Sequence, residues 1–316
     1  MKVIQVLDRP ASQSFYAVAG RLLFIQSSDL ELATRIERLF AGWQLTPLSS
    51  LERSPDIKIS FVCGDLPHVP SGLSEFEVAE GGRCYMSGDE YYLQFEGTLL
   101  KLQDKNPVSV SVFICDPTDA ELARVTSFAV CAALRRFGLF ELHAGGVVEP
   151  NSQAGALIIG PSGSGKSTLT THLARAGWGY LSDDELLLSL NDNEVEARGF
   201  RSFFALVDST STLKNCFEPA GMFTSPRVDN IAPRFVFLTK VSGEKETQLH
   251  ELRQAETMTR LIRACPWASY DTAIAAANLE LLSRLARQTK GFDLAAGKDL
   301  LEPETASRII SYACHQ

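Results

Sequence analysis

At 160–168 the chain reads Gly-Pro-Ser-Gly-Ser-Gly-Lys-Ser-Thr, and seventeen residues after Lys166 it reads Asp183-Asp184. The first run satisfies the spacing G-x-x-x-x-G-K-[ST]. Glycines at these intervals let successive backbone N–H groups turn inward around phosphate oxygens, and a helix that starts there directs its positive end at them. Lys166 is expected to reach the β- and γ-phosphates of a nucleotide, and Ser167 to supply a hydroxyl ligand to Mg²⁺. The nucleotide-binding candidates are therefore Gly160, Pro161, Ser162, Gly163, Ser164, Gly165, Lys166, Ser167 and Thr168. Two adjacent carboxylates beside a triphosphate repel it unless a cation or a proton intervenes, so the aspartate pair argues for a bound metal. We assign Asp183 as general base toward a hydroxyl nucleophile and Asp184, with Ser167, to Mg²⁺. The residues alone leave the order of the two aspartates open, and the plain alternative is that they cap the segment 185–190.

These residues need elements to position them. Ala-Leu-Ile-Ile at 156–159 reads as a strand running into the loop, and Leu169, Leu173 and Ala176 continue a helix that Gly177 ends. Gly-Tyr-Leu-Ser at 179–182 is a second short strand. A βαβ arrangement would lay it beside the first, with Asp183 and Asp184 next to the phosphate loop. Upstream, 142–148 and 156–159 are apolar segments parted by a turn-rich joint, which predicts a hairpin.

Before that the pattern is α+β. Strands are expected over 14–26, interrupted at Gly20, and over 57–63, 91–96 and 108–115. Asp29 caps a helix over 30–43 whose Leu32, Ile36, Leu39 and Phe40 share one face. A second helix, from Asp119 to about Phe137, opens at Pro-Thr-Asp and is expected to dock the first unit onto the second. The domain reading is an α+β unit over 1–118 and an α/β catalytic domain over 119–316. Within the latter a strand at 235–239 and helices at 256–262 and 272–288 cover the sheet.

Composition excludes several classes. Of 316 residues, 45% are hydrophobic and 22% charged, the balance of a globular protein rather than of a tail. No apolar run is long enough for a bilayer, and 1–9 lacks the apolar stretch and cleavage site of a secretory signal. Seven scattered cysteines without a C-x-x-C pair suit a reducing compartment, so a cytoplasmic location is expected. A net charge of -8 argues against unspecific nucleic-acid binding. Neither a membrane nor a nucleic-acid partner is expected.

Three stretches, Leu142-His-Ala-Gly-Gly-Val-Val148, Gly155-Ala-Leu-Ile-Ile-Gly-Pro-Ser-Gly-Ser-Gly-Lys-Ser167 and Gly177-Trp-Gly-Tyr-Leu-Ser-Asp-Asp184, together resemble the catalytic domain of HPr kinase/phosphorylase and its relatives. The rest of the chain to its C-terminus matches loosely. The resemblance implies an α/β P-loop kinase core of the type shared with phosphoenolpyruvate carboxykinase, and transfer from ATP with Mg²⁺ to a serine of a protein or peptide. It also implies self-association, the first aspartate as base, and His143 near the reaction centre. Without it, His143 is a partly buried strand residue.

The chain departs from that family in two places. The segment L-E-[IV]-R-G-[LI]-G, whose glutamate helps hold the metal, has only Val195-Glu-Ala-Arg-Gly-Phe200 as a counterpart, and Glu196 comes too soon. The P-[VI]-R-P-G-R loop has only Ser225-Pro-Arg-Val228. The chain looks more like the divergent branch found with peptide-modifying systems, in which an extra N-terminal domain precedes the kinase core and some members phosphorylate a serine of a ribosomal precursor peptide.

A kinase also needs cations against the charge that builds on the transferring group. Arg198 and Arg201 are candidates, with Arg227 and Arg234 behind them, and Arg201 is taken as catalytic. Two rival readings stand beside this one. A small-molecule kinase of the shikimate or nucleoside-monophosphate type places acidic residues similarly, though usually as D-x-D. A nucleotide-gated ATPase or binding protein without an acceptor would use the same loop and carboxylates. ATP versus GTP is open.

Overall fold

The structure, a computed structural model, describes residues 10–71, 73–78, 81–87, 90–207, 214–265, 267 and 271–315. The segment 1–9, read above for a leader, lies outside them. The chain divides into two units, one running to Phe137 and taking in Asp271, the other holding Gly138 onward.

In the first unit nine strands form one sheet: β1 (Ser12–Val18), β2 (Arg21–Ser27), β3 (Thr46–Leu48), β4 (Ile57–Cys63), β5 (Ser74–Val78), β6 (Gly82–Ser87), β7 (Glu90–Phe95), β8 (Thr98–Gln103) and β9 (Val108–Ile114). Their order is β3-β1-β2-β4-β9-β8-β7-β6-β5, with β2, β4 and β9 mutually parallel and the other pairs antiparallel. Asp29 caps α1 (Leu30–Ala41) through a bond from the Leu32 N–H to Oδ1 at 2.7 Å, and its buried face is Leu32, Ala33, Ile36 and Phe40. Helix α2 (Asp119–Arg135) starts in a capping box, Thr118 with Glu121, as the sequence signal indicates. It packs on β8, β9 and α1 and so groups with the N-terminal unit, whereas the sequence reading opened the second domain with it. Arg136, just past its end, donates from Nη1 to the buried Asp271 carboxylate at 2.8 Å.

The second unit has two larger sheets. One is six-stranded, in the order β13 (Gly179–Ser182), β11 (Ala144–Val148), β12 (Gly155–Ile159), β19 (Pro233–Val241), β21 (Lys290–Ala296), β20 (Gln248–Leu252). The other is four-stranded, in the order β10 (Phe140–Leu142), β14 (Leu186–Asn191), β15 (Glu194–Gly199), β18 (Asn230–Ile231). A short hairpin of β16 (Phe204–Val207) and β17 (Lys214–Phe217) stands apart from both.

Helix α3 (Lys166–Arg175) and α6 (Pro303–Cys314) pack on the face of the six-stranded sheet made by Val147, Ala156, Ile158, Phe237, Phe292 and Leu294. Val236 and Leu238 alternate onto the other face, and α5 (Thr272–Gln288), paired with α4 (Gln254–Arg263), covers β19, β21 and β15. Among the described residues this is a mixed α/β chain with six α-helices. No described helix is long and apolar enough to cross a membrane.

One detail differs from the βαβ expectation. The strand that delivers the aspartates is not hydrogen-bonded to the strand that enters the loop, because β11 lies between them and is antiparallel to both. The hairpin read at 142–159 accounts for this: β12 has β11 on one side and β19 on the other, so β13 lies at the remaining edge of β11.

Candidate active site

The interposed strand sets the geometry. Because β11 runs against its two neighbours, its opening residues meet their last ones: Ala144 lies opposite Ile159, and Gly146 opposite Ser182. His143, the 160–168 loop and the pair Asp183-Asp184 therefore emerge at one edge of the sheet. The chain also changes sheets here twice. It passes from β10 to β11 at His143, and from β13 to β14 across residues 183–185, while β10 and β14 pair with Leu142 opposite Leu186. The two crossings bring the imidazole and a carboxylate together, with His143 Nδ1 3.1 Å from Asp184 Oδ1 and both side chains about half exposed.

The loop has the backbone that its glycines predict. Gly163 and Gly165 adopt φ of +79° and +90°, where a side chain is strained. Gly160 is required for a different reason, since a Cβ there would stand 2.4 Å from Ser164 Oγ and 2.6 Å from the Thr239 carbonyl oxygen. Ser164 Oγ also lies 3.1 Å from Thr239 Oγ1, fastening the loop to β19. Lys166 is buried, and its ammonium donates to the carbonyl oxygens of Gly160 at 2.7 Å and Pro161 at 3.1 Å.

Asp183 is fully buried. Its Oδ2 accepts from the Ala205 N–H at 3.1 Å, whereas its Oδ1 has no hydrogen-bond partner among the described residues. Burial raises its pKa to about 6 and the neighbouring Asp184 charge adds to the rise, against the opposing effect of the Ala205 N–H and the Ser167 hydroxyl. A buried carboxylate oxygen without a donor is costly in a folded protein unless something else uses it. Two species would suit it, a divalent cation or the proton of a bound hydroxyl.

Ser167 and Asp184 beside it could serve a cation while that oxygen is kept for a proton. Ser167 and two carboxylates are too few to enclose a cation by themselves, and the described residues hold no cluster of three or more His, Cys, Asp or Glu side chains that could do so. Mg²⁺ fits such a set because it takes one or two carboxylates and fills its remaining positions with substrate phosphate oxygens and water.

Around this centre the arginines fall into place differently. Arg201 Nε donates to Glu185 Oε2 at 2.8 Å, and the guanidinium lies over the Phe200 ring. Burial raises the Glu185 pKa, which the Arg201 charge opposes. Arg227 Nη2 donates to the carbonyl oxygens of Arg201 and Ser202 at 2.9 and 3.1 Å. Its segment runs alongside β13, with the Val228 N–H donating to the Tyr180 carbonyl at 2.8 Å, so the Ser225-to-Val228 counterpart does lie next to the aspartate strand. Arg198 sits on β15 opposite Leu187, next to the Gly199–Leu186 pair.

Arg234 does not belong to the site. It is the second residue of β19, five residues before Thr239 and so about 16 Å away along the strand, and it pairs with Glu194 on the surface. Glu196 is likewise placed elsewhere, opposite Ser189 and accepting from Asn191 Nδ2 at 2.9 Å, where it supports a hairpin.

Sequence reasoning missed Glu185 and the Ala205 N–H. A third acidic residue directly after the aspartate pair was the available signal for Glu185. The β16–β17 hairpin that carries Ala205 is built on an aromatic cluster of Tyr180, Phe204, Phe217 and Phe223, and its four-residue strands are too short to give a period.

No protein-family model matches the chain, and no curated protein matches it in sequence. Among solved structures, one similar to it is that of the Hpr(Ser) kinase/phosphatase from Coxiella burnetii, at 11% identity and a TM-score of 0.33, covering 55% of this chain and 97% of that one.

Proposed function

We propose that the chain is an ATP-dependent phosphotransferase that moves the γ-phosphoryl group to a hydroxyl, with a serine of a protein or peptide as acceptor. The observation that carries this reading is Asp183: a fully buried carboxylate with an unpartnered oxygen and a pKa raised to about 6, within reach of the Ser167 hydroxyl of a phosphate-loop helix. A carboxylate so tuned is mostly ionised at neutral pH yet basic enough to take a proton, which is what a general base requires.

In this mechanism the loop amides and Lys166 hold the triphosphate. Ser167 and Asp184 are the groups that would hold Mg²⁺, which when bound offsets charge on the β- and γ-phosphoryl oxygens. Asp183 receives the acceptor's proton as the new oxygen–phosphorus bond forms and the bond to the ADP oxygen breaks. His143 orients Asp184 through Nδ1. Arg201, tethered to Glu185, keeps the strand crossing below the aspartates rigid. Serine as acceptor is favoured by the resemblance of the His143, phosphate-loop and aspartate stretches to HPr kinase-like sequences.

The test is incubation with ATP and Mg²⁺ and a serine-containing peptide library, followed by mass spectrometry. A phosphorylated peptide supports the reading. Hydrolysis of ATP without any phosphorylated peptide or small molecule would turn the assignment toward a nucleotide-gated switch.

A further inference from the structure

A triphosphate that lies on the 160–168 loop with its terminal group toward Asp183 has one direction left for its other end. The sheet order around the loop strand is β13-β11-β12-β19-β21, so the aspartates stand two strands to one side, about 10 Å away. On the other side β19 and β21 run parallel to β12, and their carboxyl ends emerge at the same edge as the loop. That side of the loop is open to the nucleoside half of the ligand, with Val241 exposed at the end of β19.

What stands at that corner is suited to it. On β19 the alternation that turns Phe235 and Phe237 toward α3 continues to Thr239 and Val241. Thr239 is buried and fastened to the loop through Ser164. Val241 is 62% exposed, and its Cγ2 is 3.7 Å from where a Cβ on Gly165 would be. An apolar side chain in the open, beside the residue that starts the phosphate-loop helix, offers a flat ring a surface to cover.

Beyond Val241 the chain is pinned rather than loose. Ser242 donates from its N–H and from Oγ to the Ala296 carbonyl at 3.0 and 2.9 Å. The Lys298 N–H donates to the Glu244 carbonyl at 2.9 Å, and the Asp299 carboxylate accepts from the Thr247 N–H at 3.0 Å and hydroxyl at 2.5 Å. Gly297 is packed so closely that a Cβ would come within 2.5 Å of the Glu246 carbonyl carbon. Segment 242–247 is therefore a fixed wall, and a ligand that rests against it loses little freedom to order it.

We infer that Val241 and the 242–247 wall form the base-binding corner for a nucleoside triphosphate. This rests on the reading of 160–168 as a phosphate loop. Binding of ATP and of inorganic tripolyphosphate, each with Mg²⁺, to the full chain by calorimetry tests it. Val241→Asn is expected to weaken ATP about tenfold and leave tripolyphosphate unchanged, while Val241→Ile keeps both as in the parent chain. Asn at 241 binding ATP as tightly as the parent, or weakening both ligands equally, overturns the corner alone. Lys166→Ala is expected to weaken both ligands, and if it leaves tripolyphosphate untouched the loop is not the phosphate site and both readings fall.

Discussion

Two buried carboxylates stand at opposite edges of the six-stranded sheet, Glu149 in the turn after β11 and Asp183 at the end of β13, and each is fully buried. For Glu149 burial alone would raise the pKa, but bonds from the Ser152 N–H and hydroxyl, from both nitrogens of Asn151 and from Ser311 outweigh it and hold the group below its ordinary value. Asp183 has the Ala205 N–H and Ser167 to set against burial, one oxygen stays unpartnered, and its pKa rises to about 6. Burial alone therefore does not set which way a carboxylate's pKa moves. The number of donors aimed at it does.

The largest effect that sharpens this contrast is on turnover. Asp183→Asn should lower phosphoryl transfer by a factor on the order of a thousand, the range a lost general base gives, while calorimetry finds nucleotide binding largely kept. Retained transfer in this variant would break the contrast at its active end.

Next in size is a pH effect on stability, measured by chemical denaturation in metal-free buffer. The folded pKa of Asp183 lies above its unfolded value of 3.8, so the folded state holds the proton more tightly and the group's contribution falls as pH rises between the two. The loss begins near pH 4, is complete above about pH 6 and amounts to about 3 kcal/mol. Asp183→Asn should remove that slope.

Glu149→Gln should behave in the opposite way. It removes a charge that several donors converge on, so stability drops by roughly 2–3 kcal/mol near neutral pH while turnover per folded molecule is unchanged. Because the Glu149 pKa is depressed, the parent's advantage over this variant is present above the unfolded pKa of 4.5 and shrinks as pH falls through the folded value. The smallest effect is expected from Arg234→Ala, which breaks an exposed pair with Glu194: under 1 kcal/mol in stability and no change in transfer.

Much of this arrangement could be read from the residues. The glycine-rich turn at 160–168 with its flanking strand and helix, the strand Gly179–Ser182, the helix Thr272–Gln288 and the strand Ile57–Cys63 follow from local pattern, and local pattern is carried by neighbouring residues. The placement of β11 between β12 and β13 was not legible, because it depends on which strand edges the distant β19 occupies. The same holds for the arginines. Arg201, Arg227 and Arg234 look alike in the sequence, and only the pairing partners set by distant strands separate the one tethered to Glu185 from the one on the far surface.

The contact between β11 and α3 shows how far such dependence reaches. A Cβ on Gly145 would lie 2.2 Å from Thr170 Oγ1, so the helix that begins at Lys166 rests on this strand only because a methyl group is missing there. Gly145 carries no functional group, and a survey of variants confined to side chains that can reach a phosphate would score it as harmless. Yet it works as a shim between strand and helix, and thickening it by one carbon would press on Thr170, one turn along from Lys166.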